Sequence, residues 1–234
     1  MELAGKKALV FGGTSGIGLA TVDKLVAGGA NVVAISRNPD KSQKVSENVE
    51  LAKCDVLDRD ALIALFKKHA PFDILVSAAT GGGRAIGPFL EMDMDGYKAS
   101  FNKLWGYANV VRFGTEHMAR DGAIVLVSGA PARKCKPGQV ALSSVGGSVE
   151  ALVRALAPEI APRRINVMSP GTIDTPMIGA QGKEREELYA KIVQGNIIER
   201  AGRAEEAASG ILFLIENDFV TGTTVDVDGG WLLS

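Results

Sequence analysis

The chain has little that would tie it together covalently or through a metal. Its 234 residues include 2 Cys, Cys54 and Cys135, and 2 His, His69 and His117. So few thiols supply neither a disulfide framework nor a zinc cluster, and they suit a reducing cytoplasm. Each His falls near the end of a helical pattern, where the helix dipole favours a cation, and neither has metal-ligand spacing. An excess of one charge is also missing: 26 Lys+Arg oppose 27 Asp+Glu, a formal net charge of −1. Binding nucleic acid through counterion release needs a basic face, so no nucleic-acid partner is expected. No uninterrupted apolar run reaches the ~18 residues of a membrane span. The stretch from Met1 to Lys7 lacks the apolar core and cleavage site of a secretory signal, so no membrane partner is expected either. Glycine, by contrast, is plentiful: 28 residues, well above the usual ~7 % share, as tight turns and close backbone approaches require.

Short β-branched apolar runs alternate with longer helix-period segments. Residues 7–11, 31–36, 49–54, 73–77, 123–128, 164–168 and 224–227 read as strands. They are apolar almost throughout, as expected when helices cover both faces. Helical patterns fall near 16–27, 59–69, 95–119, 138–157 and 205–215. This order predicts one α/β domain over residues 1–234, a doubly wound Rossmann-type parallel sheet of seven strands flanked by helices. Two stretches interrupt it: the glycine-rich 80–88, and an insertion near 172–196 whose polar 182–189 section has helical character. Ligands in such folds bind at the carboxyl ends of the strands, so both are candidate lids as well as candidate plain solvated loops.

After strand one come Gly12-Gly13-Thr14-Ser15-Gly16-Ile17-Gly18 and an amphipathic helix. A glycine turn at a first strand–helix junction lets backbone approach a pyrophosphate, and the helix start presents free N–H groups to it. Ser15 is placed to cap the helix or to bond phosphate. Strand two ends Ser36-Arg37 where an acidic residue would bind the adenosine ribose and repel a 2′-phosphate. A guanidinium there offers a fork of donors to that phosphate, which points to NADP(H). The alternative is an Arg that pairs only with solvent or Asp40.

With its G-x-x-x-G-x-G spacing, this turn resembles that of the short-chain dehydrogenase/reductase family, and further matches run the length of the chain. Asp55-Val56 resembles the pair that brackets the adenine, and Ser77-Ala78-Ala79 a degenerate form of the Asn-Ala-Gly segment. Ser100-Phe101-Asn102 resembles the helix that carries the active-site Asn. Pro170-Gly171-Thr172-Ile173-Asp174-Thr175 resembles the segment that cradles the nicotinamide, and Asp228-Gly229-Gly230 the family's last strand. The resemblance implies cofactor contacts from Gly12, Thr14, Ser15, Gly16, Ile17, Gly18, Ser36, Arg37, Asp55, Val56, Ser77, Ala78, Ala79, Pro170, Gly171, Ile173 and Thr175. It also implies a small-molecule substrate, and a homodimer or homotetramer built on the 95–119 and 138–157 helices.

The catalytic pattern departs from the family. Leu142 stands at the Tyr position and Gly146 at that of the Lys four residues on; Gly129, next to Ser128, stands at the Ser position. Neither Leu142 nor Gly146 can give a proton to a nascent alkoxide, a service worth ~10²–10⁴-fold. Three readings stand. A nicotinamide oxidoreductase has relocated its acid, with Asn102 retained and Ser128, Ser143, Ser144 or the cationic Arg133-Lys134-Cys135-Lys136 loop as candidates. Of that loop, Arg133 is a candidate oxyanion stabiliser; the whole run equally suits a solvated loop. Alternatively the substrate is an activated one such as an iminium, which needs no proton donor and favours a carboxylate or aromatic ring nearby. Or the protein binds a dinucleotide without turnover, as a sensor or the silent subunit of a hetero-oligomer. The apolar tail, Trp231-Leu232-Leu233, suits packing across a subunit boundary or against the substrate loop.

Overall fold

The computed structural model describes residues 1–41, 45–80 and 82–234; Gly81 of the glycine-rich loop lies outside the described residues. In chain order the elements are β1 (Lys7–Phe11), α1 (Gly16–Ala27), β2 (Asn31–Ser36), β3 (Glu50–Lys53), α2 (Arg59–His69), β4 (Phe72–Ser77), α3 (Met94–Ser100), α4 (Asn102–Gly114), β5 (Met118–Val127), α5 (Val140–Glu159), β6 (Arg164–Pro170), β7 (Ile173–Asp174), α6 (Gly182–Val193), β8 (Gly202–Arg203), α7 (Ala204–Glu216) and β9 (Thr224–Val227). The main sheet has 7 strands in the order β3-β2-β1-β4-β5-β6-β9, and every pairing is parallel. The chain steps outward from β1 to β3, then returns to lay β4 on the other side of β1. The order reverses between β1 and β4, and a ligand crevice opens there at the carboxyl ends.

Both faces of the sheet are buried, which is why its strands are apolar throughout rather than alternating. On one face Val10, Ala34, Val76 and Val125 pack with Val22 and Leu25 of α1 and with Ile211 and Leu214 of α7. On the other, Phe11, Ile35, Leu75 and Leu126 pack with Phe66 of α2, Tyr107 and Val110 of α4, and Val149 of α5.

The long helix expected over 95–119 is instead divided. It breaks at Phe101 (ψ −8°) into α3 and α4, and its last residues leave the helix altogether. Met118 pairs with Phe72 in the sheet, and the register then jumps so that Ala123 pairs with Ile74. The polar Arg120-Asp121-Gly122 stretch is the excess looped out by that jump. The polar 182–189 section is helical and extends to Val193. Among the described residues one helix, α5, reaches the length and apolarity of a membrane span, with a mean hydropathy of 1.3. Its Ala141, Val145, Val149 and Val153 face is buried against the sheet and α4.

Arg164 is the main buried cation of the frame, 7 % exposed. It donates to Leu214 O at 2.8 Å, Ile215 O at 2.6 Å and Val220 O at 2.9 Å, satisfying carbonyls orphaned at the end of α7. Replacing it by Met is expected to lower stability by about 2–4 kcal/mol, because several buried acceptors lose their donor at ~1–3 kcal/mol each. Denaturant unfolding checks this; a loss below about 0.5 kcal/mol would show that water takes over the carbonyls.

Candidate functional site

The crevice is floored by backbone packed too closely for side chains. A Cβ on Gly12 (φ +77°) would lie 2.9 Å from the carbonyl carbon of Ala78, and one on Gly13 2.7 Å from Val10 O. A Cβ on Gly18 would lie far inside van der Waals contact with Gly12 O. The turn out of β1 is held by Gly12 N–H donating to Ile35 O at 2.8 Å, and the exit of β4 by Ala78 N–H donating to Phe11 O at 2.9 Å. Above this floor α1 begins. Ser15 is its N-cap residue, its hydroxyl does not cap the helix, and the first turn carries no acid. The unmet N–H groups and positive dipole end therefore face the crevice beside Thr14, Gly16 and Ile17.

The other predicted cofactor residues ring this cradle. Ser36 ends β2 with a buried hydroxyl that lacks a hydrogen-bond partner among the described residues, and Arg37 follows it in the open. Ser36 O also accepts from Cys54 N–H at 3.0 Å, which draws Asp55 and Val56 alongside. Asp55 Oδ1 accepts from Leu57 N–H at 2.9 Å, and Val56 is buried against Gly106 of α4. Ser77, Ala78 and Ala79 leave β4 against the glycine turn, with the Ser77 hydroxyl likewise buried and unpartnered. From β6, Pro170 and Gly171 come close to Asp228, 2.6 Å from its carbonyl oxygen to where a Gly171 Cβ would stand. Ile173 pairs with Gly202, and Thr175 crosses the start of α1, its Cγ2 3.2 Å from where a Gly16 Cβ would stand. A floor without Cβ atoms, a bare helix start and an unpaired hydroxyl at the end of β2 fit a dinucleotide laid across the carboxyl edge.

Beyond the β4 exit lies a cleft of about 60 Å³ lined by Thr80, Arg84, Ser100, Lys103, Ser128, Leu142 and Gly146, among others. Leu142 and Gly146 are one helical turn apart on α5. Ser128 donates its hydroxyl to Gly146 O at 3.2 Å. Lys103, absent from the sequence-based candidates, donates Nζ to Ser128 O at 3.1 Å and sits 5.6 Å above the Tyr107 ring. Burial, with the charge of Arg84 adding to it, pulls its ammonium down from the ordinary lysine range to about 7. The signal in the sequence was a charge four residues before the core-facing Tyr107, on the inward stripe of α4. Asn102 opens α4 directly after the break and has its Nδ2 near Gly82.

Arg133 is not where a substrate oxyanion would need it. Its guanidinium donates to both carboxylate oxygens of Asp226 and lies 3.3 Å from Glu150. That fork-on-carboxylate geometry turns it away from the cleft, so its proposed part in stabilising an oxyanion is withdrawn. The rest of the basic loop is structural too. Lys134 O accepts from the Trp231 indole at 3.0 Å, and Lys136 Nζ lies 4.4 Å over the Trp231 ring while donating to Ile192 O at 3.2 Å. The apolar tail thus packs on this loop within the same chain. Ser144 is engaged as well, accepting from Tyr97 Oη at 3.0 Å and donating to Val140 O at 2.8 Å.

The 172–196 insertion is anchored at its base by β7–β8 pairing and within by one side chain. Arg185 of α6 donates to Asp174, to Thr175 O at 2.8 Å, to Ile178 O at 2.6 Å and to Ala180 O at 3.1 Å. Arg84 reaches across from the 80–88 loop to Met177 Sδ, so the two loops touch over the cleft.

Known proteins share this fold. A family model described as enoyl-(acyl carrier protein) reductase matches residues 12–232. An L-xylulose reductase from Mesocricetus auratus is 32 % identical over 246 residues, covering 100 % of this chain and 99 % of its own. A cyclic-di-GMP-binding biofilm dispersal mediator protein from Escherichia coli is 31 % identical over 236 residues, 97 % of each chain. A small-chain dehydrogenase solved in complex with NADPH superposes with a TM-score of 0.83 at 28 % identity, over 98 % of this chain and 100 % of that one. The chain belongs to the short-chain dehydrogenase/reductase family, whose members are oxidoreductases that bind nicotinamide dinucleotides.

Arg185→Ala removes the common anchor of residues 174–180, so their amides should exchange with solvent at least ~10-fold faster while β1 and β4 stay protected; unchanged exchange would show the loop holds itself. A Lys at Gly146 would bring a Cβ within 2.9 Å of Ala132 Cβ. Gly146→Lys should therefore cost about 1–3 kcal/mol through overpacking, relieved in part by Ala132→Gly; an equally unstable double variant would locate the strain elsewhere.

Proposed function

We propose that the protein is an NADP(H)-dependent oxidoreductase whose active site departs from the Tyr and Lys pattern of its family, Leu142 and Gly146 holding those positions. The observation that carries the cofactor assignment is Arg37, exposed where β2 ends with no acid beside it. In this reading the Gly12–Gly18 turn and Ser15 hold the pyrophosphate, Ser36 and Arg37 the phosphorylated ribose, and Asp55 with Val56 the adenine. Ser77, Ala78, Ala79, Pro170, Gly171, Ile173 and Thr175 orient the nicotinamide. The bound cofactor supplies or accepts a hydride. Asn102 and Ser128 position groups at the cleft, and the Arg84–Met177 contact closes it against water. Residues 172–196 serve as the substrate loop of one domain spanning 1–234. The substrate is a small molecule, the compartment the cytoplasm, and the assembly a homodimer or homotetramer through the outer faces of α4 and α5, where Trp105 is 60 % exposed.

Of the substrates weighed from the sequence, an iminium is the poorer fit. Arg84 and Lys103 line the cleft, no carboxylate does among the described residues, and both cations would repel it. A second reading, dinucleotide binding without turnover, rests on Leu142 and Gly146 standing at the Tyr and Lys positions; the name of the 31 % identical Escherichia coli relative records cyclic-di-GMP binding.

Calorimetry of cofactor-stripped protein tests the assignment. NADPH should bind at micromolar concentration and NADH at least ~10-fold more weakly. Arg37→Ala should cost NADPH about 1–3 kcal/mol, the scale of a charge-assisted bond, and leave NADH almost unchanged. Equal losses for both would remove Arg37 from the 2′-phosphate; binding of neither would refute the oxidoreductase reading.

A further inference from the structure

Among the side chains of the cleft, few can part with a proton. Leu142 and Gly146 have none to give. Ser128 donates its hydroxyl to Gly146 O, and Ser100 donates to Gly96 O while accepting from Ala85 N–H. Arg84 stays charged at any working pH. Lys103 is different. Its half-buried stem runs inward from α4, Nζ spends a single N–H among the described residues, on Ser128 O, and an ammonium has three. It stands beside Leu142 and Gly146 in one cleft, so the acid missing from α5 has a counterpart on the facing helix.

We propose that Lys103 is the proton donor of this cleft, and that the cleft takes a carbonyl substrate whose oxygen, with any adjoining carboxylate, lies between Lys103 and Arg84. The assignment rests on the oxidoreductase reading above. As a hydride reaches the carbonyl carbon a C–H bond forms and the π electrons pass to oxygen. The Lys103 N–H bond breaks as the O–H bond forms, and solvent returns a proton to the neutral amine. The carbonyl is reduced and the dinucleotide oxidised. Arg84 holds the negative charge gathering on oxygen.

The charges around Lys103 support donation near neutrality. Among the described residues Arg84 faces it from the 80–88 loop, Tyr107 from α4, the Ser128 carbonyl from the end of β5, and the uncharged Ala141, Leu142, Val145 and Gly146 from α5. No carboxylate lines the cleft among the described residues, and an amine that titrates near 7 both donates and is recharged at working pH. The folded ammonium titrates below its unfolded value of 10.5, so folding carries the full penalty below about pH 7, and the penalty fades as pH rises toward the unfolded value.

The test uses the full-length protein, Lys103→Met and Lys103→Arg. Acetic anhydride labelling of Lys103 from pH 5 to 11, read by peptide mass spectrometry, should have a midpoint near 7; a midpoint above about 9.5 overturns the proposal. Lys103→Met should raise the melting temperature several degrees more at pH 6 than at pH 9.5; an equal change at both overturns it. With 2,3-butanedione and pyruvate as probes, Lys103→Met should lower kcat/KM by ~10²–10⁴-fold, with NADPH binding held within about 3-fold by calorimetry. Lys103→Arg should shift the alkaline limb of the rate profile upward. An unchanged rate and profile in Lys103→Met overturns the proton assignment; reduction of neither probe by the parent protein overturns the substrate class. Failure of the parent to bind NADPH strikes the oxidoreductase reading itself, and the labelling midpoint reports on Lys103 independently of it.

Discussion

The site depends on a contact that tolerates no side chain. The turn leaving β1 and the exit of β4 meet backbone to backbone, and the start of α1 folds back onto the same turn. Gly12, Gly13 and Gly18 each lack room for a single carbon. That proximity sets the bare end of α1 over the gap where the strand order reverses, and it leaves N–H groups there outside the helix's own hydrogen bonds and open to an anion. Flexibility is a secondary reason for these glycines: Gly13 and Gly18 are excluded from substitution by contact alone, whereas Gly12 also needs its positive φ. The same logic recurs at Gly171, which lets the exit of β6 lie on Asp228. The two halves of the crevice are thus built by one device, backbone packed on backbone.

Most of this frame was legible in the sequence because parallel strands buried on both faces leave an unambiguous signature of short apolar runs. β1, β2, α1, α2 and β9 fall where the periodicity puts them. The failures have local causes. The pattern over 95–119 stays helix-like through Phe101 because a break with φ −73° and ψ −8° costs the amphipathic stripe almost nothing, and only the sheet partner Phe72 shows that Met118 is strand. Arg133 looked poised for chemistry because a cationic run after β5 sits near a cleft edge in one dimension. Its carboxylates, Asp226 and Glu150, lie 93 and 17 residues away in sequence, and pairing over such spans leaves no local trace.

Lys103 is the converse case. It was hidden by its neighbours: a Lys beside Asn102 on a helix reads as solvated unless its register is compared with Tyr107 and Val110, both fully buried. A cation on that stripe is an inconsistency between local residue choice and global placement, and such inconsistencies concentrate at functional sites because burying an ammonium is otherwise selected against. The cleft around it is consistent in its chemistry. Two cations line it with no carboxylate among the described residues, and its hydroxyls are mostly committed to backbone carbonyls.

The α5 side of the cleft is closed opposite the cation. Gly146 is not simply an emptied position: Ala132 and Ser128 approach it so closely that the smallest side chain would meet Ala132 Cβ at 2.9 Å and Ser128 Oγ at 3.2 Å. Ser128 then spends its hydroxyl on Gly146 O and offers its own carbonyl to Lys103. One residue therefore joins the closed face of α5 to the cation arriving from α4. On the reading proposed above, that link lets α4 supply a cation to the cleft where α5, closed at Gly146, has no room for a side chain.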